Sequence, residues 1–396
     1  MNPFPHFAPL PPATAAQAAA VYARLHVSAK TLRFDRVTSA LALFDDAYAL
    51  CAYWLLLAGG FARWSGALAR RACGRFVYGQ GVIVTALICL AFAVLMLPLS
   101  LTGYWIGRVY GLTVEGIGAW SIDHMKFIGI NMIITSLIAG LLPPLIRRLP
   151  RGWPYALAGI LVPIIAFGIF LEPILIDPLF NKFTPLPASS PLYAPLHALA
   201  DRAGIPHATI YVVNKSKQTT ETNAYVDGLG SSARIVLWDT TLKQMTPREV
   251  IAITGHEMGH YVEGHLIIGF ALSSIGLFIL LPLVRRLAQA MLRRSRGRWG
   301  IGSLAEPSAI VVLLLSLEIM MLVIQPLVNA VSREIEHRAD EFSLGIVRDR
   351  VGLADAFVDL SKQDLDNPYP PTWEKIWFYD HPPLGERIKF ALYGEP

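Results

Sequence analysis

Thr246–Val284, TPREVIAITGHEMGHYVEGHLIIGFALSSIGLFILLPLV, sets a helix rich in reactive side chains directly against an uncharged apolar run. Thr246, Pro247 and Glu249 read as a helix start, with threonine at the N-cap, proline at the first helical position and glutamate at the third closing a capping box. That helix holds His256-Glu257-Met258-Gly259-His260, an HExxH motif. At 100° per residue its two histidines lie about 40° apart around the axis and about 6 Å apart along it, so both imidazoles can share one metal. Glu257 flanks them and can reach a water on that metal without being a ligand, the general-base position of zinc peptidases. From Leu266 to Val284 no charge follows, over a length that crosses a bilayer as a helix.

Outward from this stretch lie five more membrane candidates: Ala47–Phe61, the shortest, then Val82–Leu101, Phe127–Ile146, Tyr155–Ile176 and Ala309–Val331. Prolines at 143, 144, 163 and 173 sit in or near them, which lipid-embedded helices tolerate. The whole chain agrees: 396 residues, 54% hydrophobic and only 16% charged, with mean hydropathy +0.46. A soluble chain carries about 25% charge, so a cytosolic two-domain enzyme is excluded. The net charge of +5 comes largely from arginine clusters beside the apolar runs. Such clusters anchor a protein in the lipid bilayer and give no support to a nucleic-acid partner. Cys51, Cys73 and Cys89 all lie in the N-terminal quarter, so a metal site in the C-terminal half must use histidine and carboxylate.

The chain divides into a tail (1–45), N-terminal membrane helices (46–176), a peptidase region (177–265), a transmembrane hairpin (266–331) and a C-terminal segment (332–396). No cleavable signal peptide is evident in the tail, whose Ala13–Leu25 stretch reads as a surface helix. In the peptidase region a helix over Ser190–Ala203 stops at Gly204-Ile205-Pro206. The β-branched and aromatic runs Ala208–Val213, Glu221–Val226 and Ala233–Trp238, the last two flanking a turn at Gly228–Ser232, predict a small antiparallel sheet.

A catalytic zinc takes three protein ligands and keeps one position open. His265 tempts as the third, but it lies about 140° around from His260 if the helix continues. Glu263 shares the face of His256 yet sits about 7–8 Å along the axis from the midpoint of the two histidines. The third ligand is therefore expected from another segment, and the carboxylate-rich stretch Ser332–Glu341 offers Glu334, Glu336, Asp340 and Glu341.

With these companions the chain resembles the type I CAAX prenyl proteases, multi-pass membrane zinc metallopeptidases. The similar stretches are Pro178–Leu186, Thr222–Gly228, Ile235–Asp239, His256–His260, Ser332–Asp340 and His381–Arg387, in the family's order. The resemblance implies an α-helical polytopic membrane protein, six to seven spanning helices around a chamber, with a small gluzincin-like α+β zinc-peptidase region. It implies one Zn2+ held by His256, His260 and Glu336, with Glu257 as base and His381 stabilising the oxyanion. Asp340 would orient a ligand histidine, and Arg387 would pair with an acidic group. Asn223, with Ala224 and Tyr225, would bind substrate backbone at a strand edge. The implied substrate is a prenylated protein ending Cys-a-a-X, cut near its C-terminus. A broad membrane-protein quality-control peptidase is the second reading. A transporter with a vestigial zinc motif is the third; Glu318 and Gln325, in the sixth run, are polar groups at membrane depth that face protein or a water-filled cavity.

Counting spans puts Arg63–Arg75, Arg147–Arg151 and Arg285–Arg298 on one side of the membrane and the metal site on the other. The positive-inside rule makes the arginine side cytoplasmic, in a bacterium the inner face of the inner membrane, and the metal site external. The resemblance to eukaryotic members implies a cytosolic site instead.

Overall fold

The computed structural model describes residues 7–228 and 234–394. Its helices in chain order are α1 (Ala15–Arg24), α2 (Ala29–Ala58), α3 (Phe61–Cys73), α4 (Val77–Tyr110), α5 (Ile117–Ala139), α6 (Leu142–Arg148), α7 (Trp153–Leu171) and α8 (Asp177–Phe180). After these come α9 (Tyr193–Arg202), α10 (Asp239–Gln244), α11 (Pro247–Val262), α12 (His265–Ser295), α13 (Ile310–Val347), α14 (Arg350–Gln363), α15 (Thr372–Phe378) and α16 (Leu384–Tyr393).

Six helical stretches among the described residues are long and apolar enough to cross a membrane: Ala29–Ala58, Val77–Tyr110, Ile117–Arg148, Trp153–Phe180, His265–Ser295 and Pro307–Val347. The sixth is the central one, with half of its most apolar window buried in protein against 0 to 22% for the others. The remaining apolar surface, Phe127, Ile133, Phe167, Ile267 and Ile279 among it, is exposed, as a lipid-facing surface must be. The first span is far longer than the Ala47–Phe61 run. Ser28 caps it, its Oγ accepting from the Thr31 amide. Its first half escaped a hydropathy reading because it carries Asp35, Thr38, Asp45 and Asp46, which border two cavities.

At one end, α2, α3, α4, α6, α7, α12 and the start of α13 close on an apolar core that includes Leu57, Ala69, Ile88, Trp153, Val284 and Ile310. The arginine loops gather there: Arg147 donates to the Ala305 carbonyl and Arg285 to that of Arg151. At the other end stand the sheet, α9, α11, the end of α13 and the C-terminal helices. Here α1 is more than a surface helix, because Ala18 and Val21 are buried against the C-terminal core and Arg24 pairs with Asp355 and Asp359.

The sheet has four strands, β1 (Phe183–Pro185), β2 (Thr209–Val213), β3 (Ala224–Asp227) and β4 (Arg234–Trp238), in the order β1-β2-β4-β3. It is mixed, not antiparallel as expected, because β2 and β4 run parallel. The cause is the excursion after β2. Residues 218–220 leave the sheet to bond the α4–α5 loop, through Val114 N to Gln218 O and Thr220 N to Leu112 O. The chain then enters β3 at the outer edge, and β4 returns between β3 and β2. β1, three residues long, has no legible pattern. The turn expected at Gly228–Ser232 lies, beyond Gly228, outside the described residues.

Candidate metal centre

The capping box expected at Thr246 is present and sets the start of α11: the Thr246 amide donates to Glu249 Oε2 at 2.8 Å, and Thr246 Oγ1 accepts from the Glu249 amide at 3.4 Å. Two glycines then let α11 press against α13. A Cβ on Gly259 would meet Phe342 Cβ at 3.0 Å and Ala339 Cα at 3.2 Å, and one on Gly255 would meet Val347 Cγ2 at 2.6 Å. Ser343 Oγ locks the pair by donating to the Ala252 carbonyl at 2.7 Å. Glu336 and Asp340, one turn apart on α13, thereby face His256 and His260.

One ligand atom from each of His256, His260 and Glu336 lies within 4.8 Å of the others. The two Nε2 atoms are 3.1 Å apart, His256 Nε2 is 3.2 Å from Glu336 Oε2, and His260 Nε2 is 3.4 Å from Glu336 Oε1. Buried Glu336 Oε2 finds no hydrogen-bond donor among the described residues. Two imidazoles and one carboxylate converging on a point suit a divalent cation.

The surroundings brace His256. Its Nδ1 is 2.8 Å from Asp340 Oδ1. Arg387 grips Asp340 with two bonds, Nε to Oδ2 at 2.9 Å and Nη2 to Oδ1 at 2.7 Å, and rests on the Phe357 ring at 4.2 Å. Asp340 and Arg387 are both buried, so each charge has its counter-charge in hand.

A cavity of about 540 Å³ opens onto the cluster, lined by Asn223, Ala224, His256, Glu257, His381 and Arg387 among others. Burial in its wall pushes the Glu257 carboxyl up to about 7 against the pull of His256; Glu336 adds to the rise. His381 Nε2 is 3.3 Å from Glu336 Oε2 and its Nδ1 is 2.8 Å from Asp380 Oδ1. Burial alone would lower its pKa, but the Asp380 bond and the Glu336 charge overcome this and raise it, favouring the doubly protonated ring. A second cavity of about 510 Å³ shares Thr38, Ala42 and Phe378 with the first and carries Asp45, Asp46 and Gln325 in its wall.

The edge strand β3 borders the first cavity. Asn223 is exposed just before it, held through its backbone by Thr241 Oγ1, and its own Oδ1 accepts from the Ala224 amide at 2.7 Å. Tyr225 departs from expectation. It stands opposite Val236 of β4 and does not line the cavity.

His265, set aside as a third ligand, stands closer to the site than its expected angle allowed. Its expected angle assumed a continuous helix, whereas Gly264 breaks α11 from α12 at φ 68°, and His265 turns back to place Nδ1 3.0 Å from His260 Nδ1. Gly264 was the available signal, a glycine at a helix end. The spacing of Gly255 and Gly259 was likewise visible as a groove for a second helix.

Comparison with known proteins gives the family. The family profile of peptidase family M48 matches residues 190–394, and that of the CAAX prenyl protease N-terminal region, described as five membrane helices, matches residues 15–182. Four of the spans named above lie in that second stretch. An uncharacterized metalloprotease, YhfN of Bacillus subtilis (strain 168), is 33% identical over 320 residues, 80% of this chain and 74% of its own. CAAX prenyl protease 1 of Saccharomyces cerevisiae is 27% identical over 317 residues, 75% of this chain and 68% of its own. The crystal structure of S. mikatae Ste24p superposes with a TM-score of 0.77 at 22% identity, over 96% of this chain and 95% of that one, and so shares the fold. On the M48 profile, which spans more than half of the chain, and the 33% identical metalloprotease, the transporter reading falls away: the chain belongs to peptidase family M48, on the type I CAAX protease side of it, and is a multi-pass membrane metallopeptidase.

Proposed function

We propose that the metal is zinc, held by His256, His260 and Glu336, and that the enzyme hydrolyses a peptide bond near the C-terminus of prenylated proteins ending Cys-a-a-X. One observation carries the reading: three ligand atoms lie within 4.8 Å of one another, and His256, one of the three ligand residues, lines a cavity shared with Glu257, His381 and the edge of β3. Relatives named CAAX prenyl protease 1 support the substrate class.

Zinc held there supplies a Lewis acid that polarises the scissile carbonyl and lowers the pKa of water in the open position. The Glu257 carboxylate takes a proton from the attacking water and returns it to the leaving nitrogen. His381 donates from Nε2 to the carbonyl oxygen as charge builds there, with Asp380 beside its Nδ1. Asp340 accepts from His256 Nδ1, so that Nε2 is the bare nitrogen turned to the metal, and Arg387 holds Asp340 in place. The substrate lies extended along Asn223 and Ala224, adding a strand to the β3 edge through main-chain bonds.

The membrane orientation follows the arginines: their end faces the cytoplasm and the metal centre the opposite side. A C-terminal reporter fusion should then be active outside the cytoplasm, and activity only inside it overturns this orientation. A second reading, a broad quality-control peptidase, is favoured by the polar groups in the cavity wall, Asp35, Ser39, Asp366, Asn367 and Asp380. Mass spectrometry of a farnesylated Cys-a-a-X peptide and its unprenylated twin, incubated with zinc-loaded protein, separates the two. Loss of three residues from the farnesylated peptide alone, absent with Glu257→Gln, is expected. Equal cutting of both peptides selects the quality-control reading.

A further inference from the structure

Three histidines stand in a row at the metal centre, and only two of them are used above. His260 turns Nε2 toward His256 and Glu336, while its Nδ1 lies 3.0 Å from His265 Nδ1. The two rings meet edge-on, with centroids 5.0 Å apart and planes at 71°. At the far side of His265, the buried Nε2 lies 3.2 Å from Glu263 Oε2, out of line for a hydrogen bond, and has no hydrogen-bond partner among the described residues. We infer that His265, set by Glu263, is a positioning residue for His260, fixing the tautomer in which His260 Nε2 is bare and aimed at the metal. The inference rests on the assignment of His260 as a ligand.

Proton placement decides which nitrogen of His260 can meet a cation. An imidazole that binds a cation through Nε2 carries its proton on Nδ1 and needs an acceptor for it. At His260 the atom in that place is His265 Nδ1, which accepts only if the His265 proton sits on Nε2. That proton then lies on the side of the Glu263 carboxylate, whose Oε2 is 3.2 Å from Nε2 without hydrogen-bond alignment and whose negative charge favours a proton there. Of the two proton arrangements across the Nδ1–Nδ1 contact of His265 and His260, only this one leaves His260 Nε2 bare. The reverse arrangement would put a proton on His260 Nε2 and close the site to a cation. Glu263 therefore selects the open form, as Asp340 does for His256, but through an intervening ring.

The backbone is built for this relay. On an unbroken helix, residues five apart point about 140° away from each other. Gly264, at φ 68° and ψ 30°, ends α11 at Glu263 and starts α12 at His265, which brings the fifth residue back over the first. Neither Glu263 nor His265 lies among the residues lining the catalytic cavity, so their place beside His260 has no explanation in substrate contact.

The test is zinc affinity, by competition with a chromophoric chelator, together with the visible absorption of the Co2+-loaded full-length protein. Losing a partner of this kind typically weakens metal binding 10–100-fold. His265→Ala should show a loss of about that size with an altered Co2+ spectrum, and His265→Asn, which keeps an acceptor near the Nδ1 position, should recover most of it. His265→Leu should not recover, and Glu263→Ala should show a smaller loss that Glu263→Gln reverses. Wild-type affinity and spectrum in folded His265→Ala, or equal losses in His265→Asn and His265→Leu, overturn the inference. Where His265→Ala does not fold, Glu263→Ala against Glu263→Gln decides: a loss that Gln reverses supports it, and no loss overturns it. Tight zinc binding by His260→Ala would instead overturn the ligand assignment, and the inference with it.

Discussion

The two halves of α13 do opposite work. Ile310, Val311, Val312, Leu313 and Leu315 are buried among apolar neighbours, and Ser316 satisfies its hydroxyl within the helix on the Val312 carbonyl. Glu336 and Asp340, also buried, are surrounded instead by His256, His260 and Arg387. At about 1.5 Å per residue, Ile310 and Glu336 stand about 39 Å apart, somewhat more than the hydrocarbon thickness of a bilayer. Packing at the first end is non-directional, so any side chain of the right volume serves there. At the second end the contacts are directional and set at fixed distances, and a misplacement of about 1 Å is felt in the chemistry. The apolar end fixes where the helix stands; the charged end uses that position.

The contrast breaks most sharply at Glu257. Replacement by Gln keeps the shape and removes the base, and peptide hydrolysis should fall about 10²–10⁴-fold with one metal still bound per chain. Activity near wild type would show that the charged end does not carry the chemistry assigned to it. The next largest effect belongs to Arg387. Arg387→Ala leaves the buried Asp340 carboxylate without its guanidinium, which should lower stability by about 3–5 kcal/mol, read as a drop in melting temperature in detergent. Arg387→Leu combined with Asp340→Leu should recover most of that stability and none of the metal affinity. Recovery of both would reduce this pair to packing.

A pH series sharpens the contrast further. Burial, with the charge of Asp366 beside it, pushes Asp364 from 3.8 up to about 8, and it accepts from the Thr222 amide at 3.1 Å. Between these pH values the folded protein keeps a proton that the unfolded chain has released. Stability therefore falls as pH rises from about 4 to about 8 and levels off beyond. Asp364→Asn keeps the acceptor and removes the proton equilibrium. Its stability should exceed the wild-type value by a margin that widens with pH, up to about 6 kcal/mol by pH 8, read as a rising difference in melting temperature. A margin constant with pH would show that Asp364 does not titrate in this window.

The apolar end was the more legible in sequence, because uncharged runs announce themselves whatever they pack against. The first half of α2 was the exception: Asp35, Asp45 and Asp46 mimic a soluble tail until the cavities they line are seen. At the charged end the capping box and the HExxH spacing were readable, being local. The choice among Glu334, Glu336, Asp340 and Glu341 was not, since it depends on the groove at Gly255 and Gly259 that turns one face of α13 toward α11. Residue types and helical geometry pointed to the segment, and the resemblance to a family pointed to the residue. The parallel pairing of β2 with β4 was hidden because it follows from where residues 218–220 find partners, on a loop about a hundred positions earlier in the chain. His265 was hidden by one left-handed glycine.

The smallest effect tests the apolar end by itself. Ile310 is 1% exposed in the core that joins α3, α4, α7 and α12 to the start of α13. Ile310→Val removes one methylene and should lower stability by about 1 kcal/mol, through lost packing and the small void left behind. If this end acts only by holding α13 in place, the loss is the same at every pH, and zinc affinity and kcat/KM in the folded protein stay at wild-type values. A change in zinc affinity would mean that strain travels the length of α13 to Glu336. The two halves would then form one mechanical unit rather than a support and a site, and the position of the third ligand would depend on how tightly the arginine end is packed.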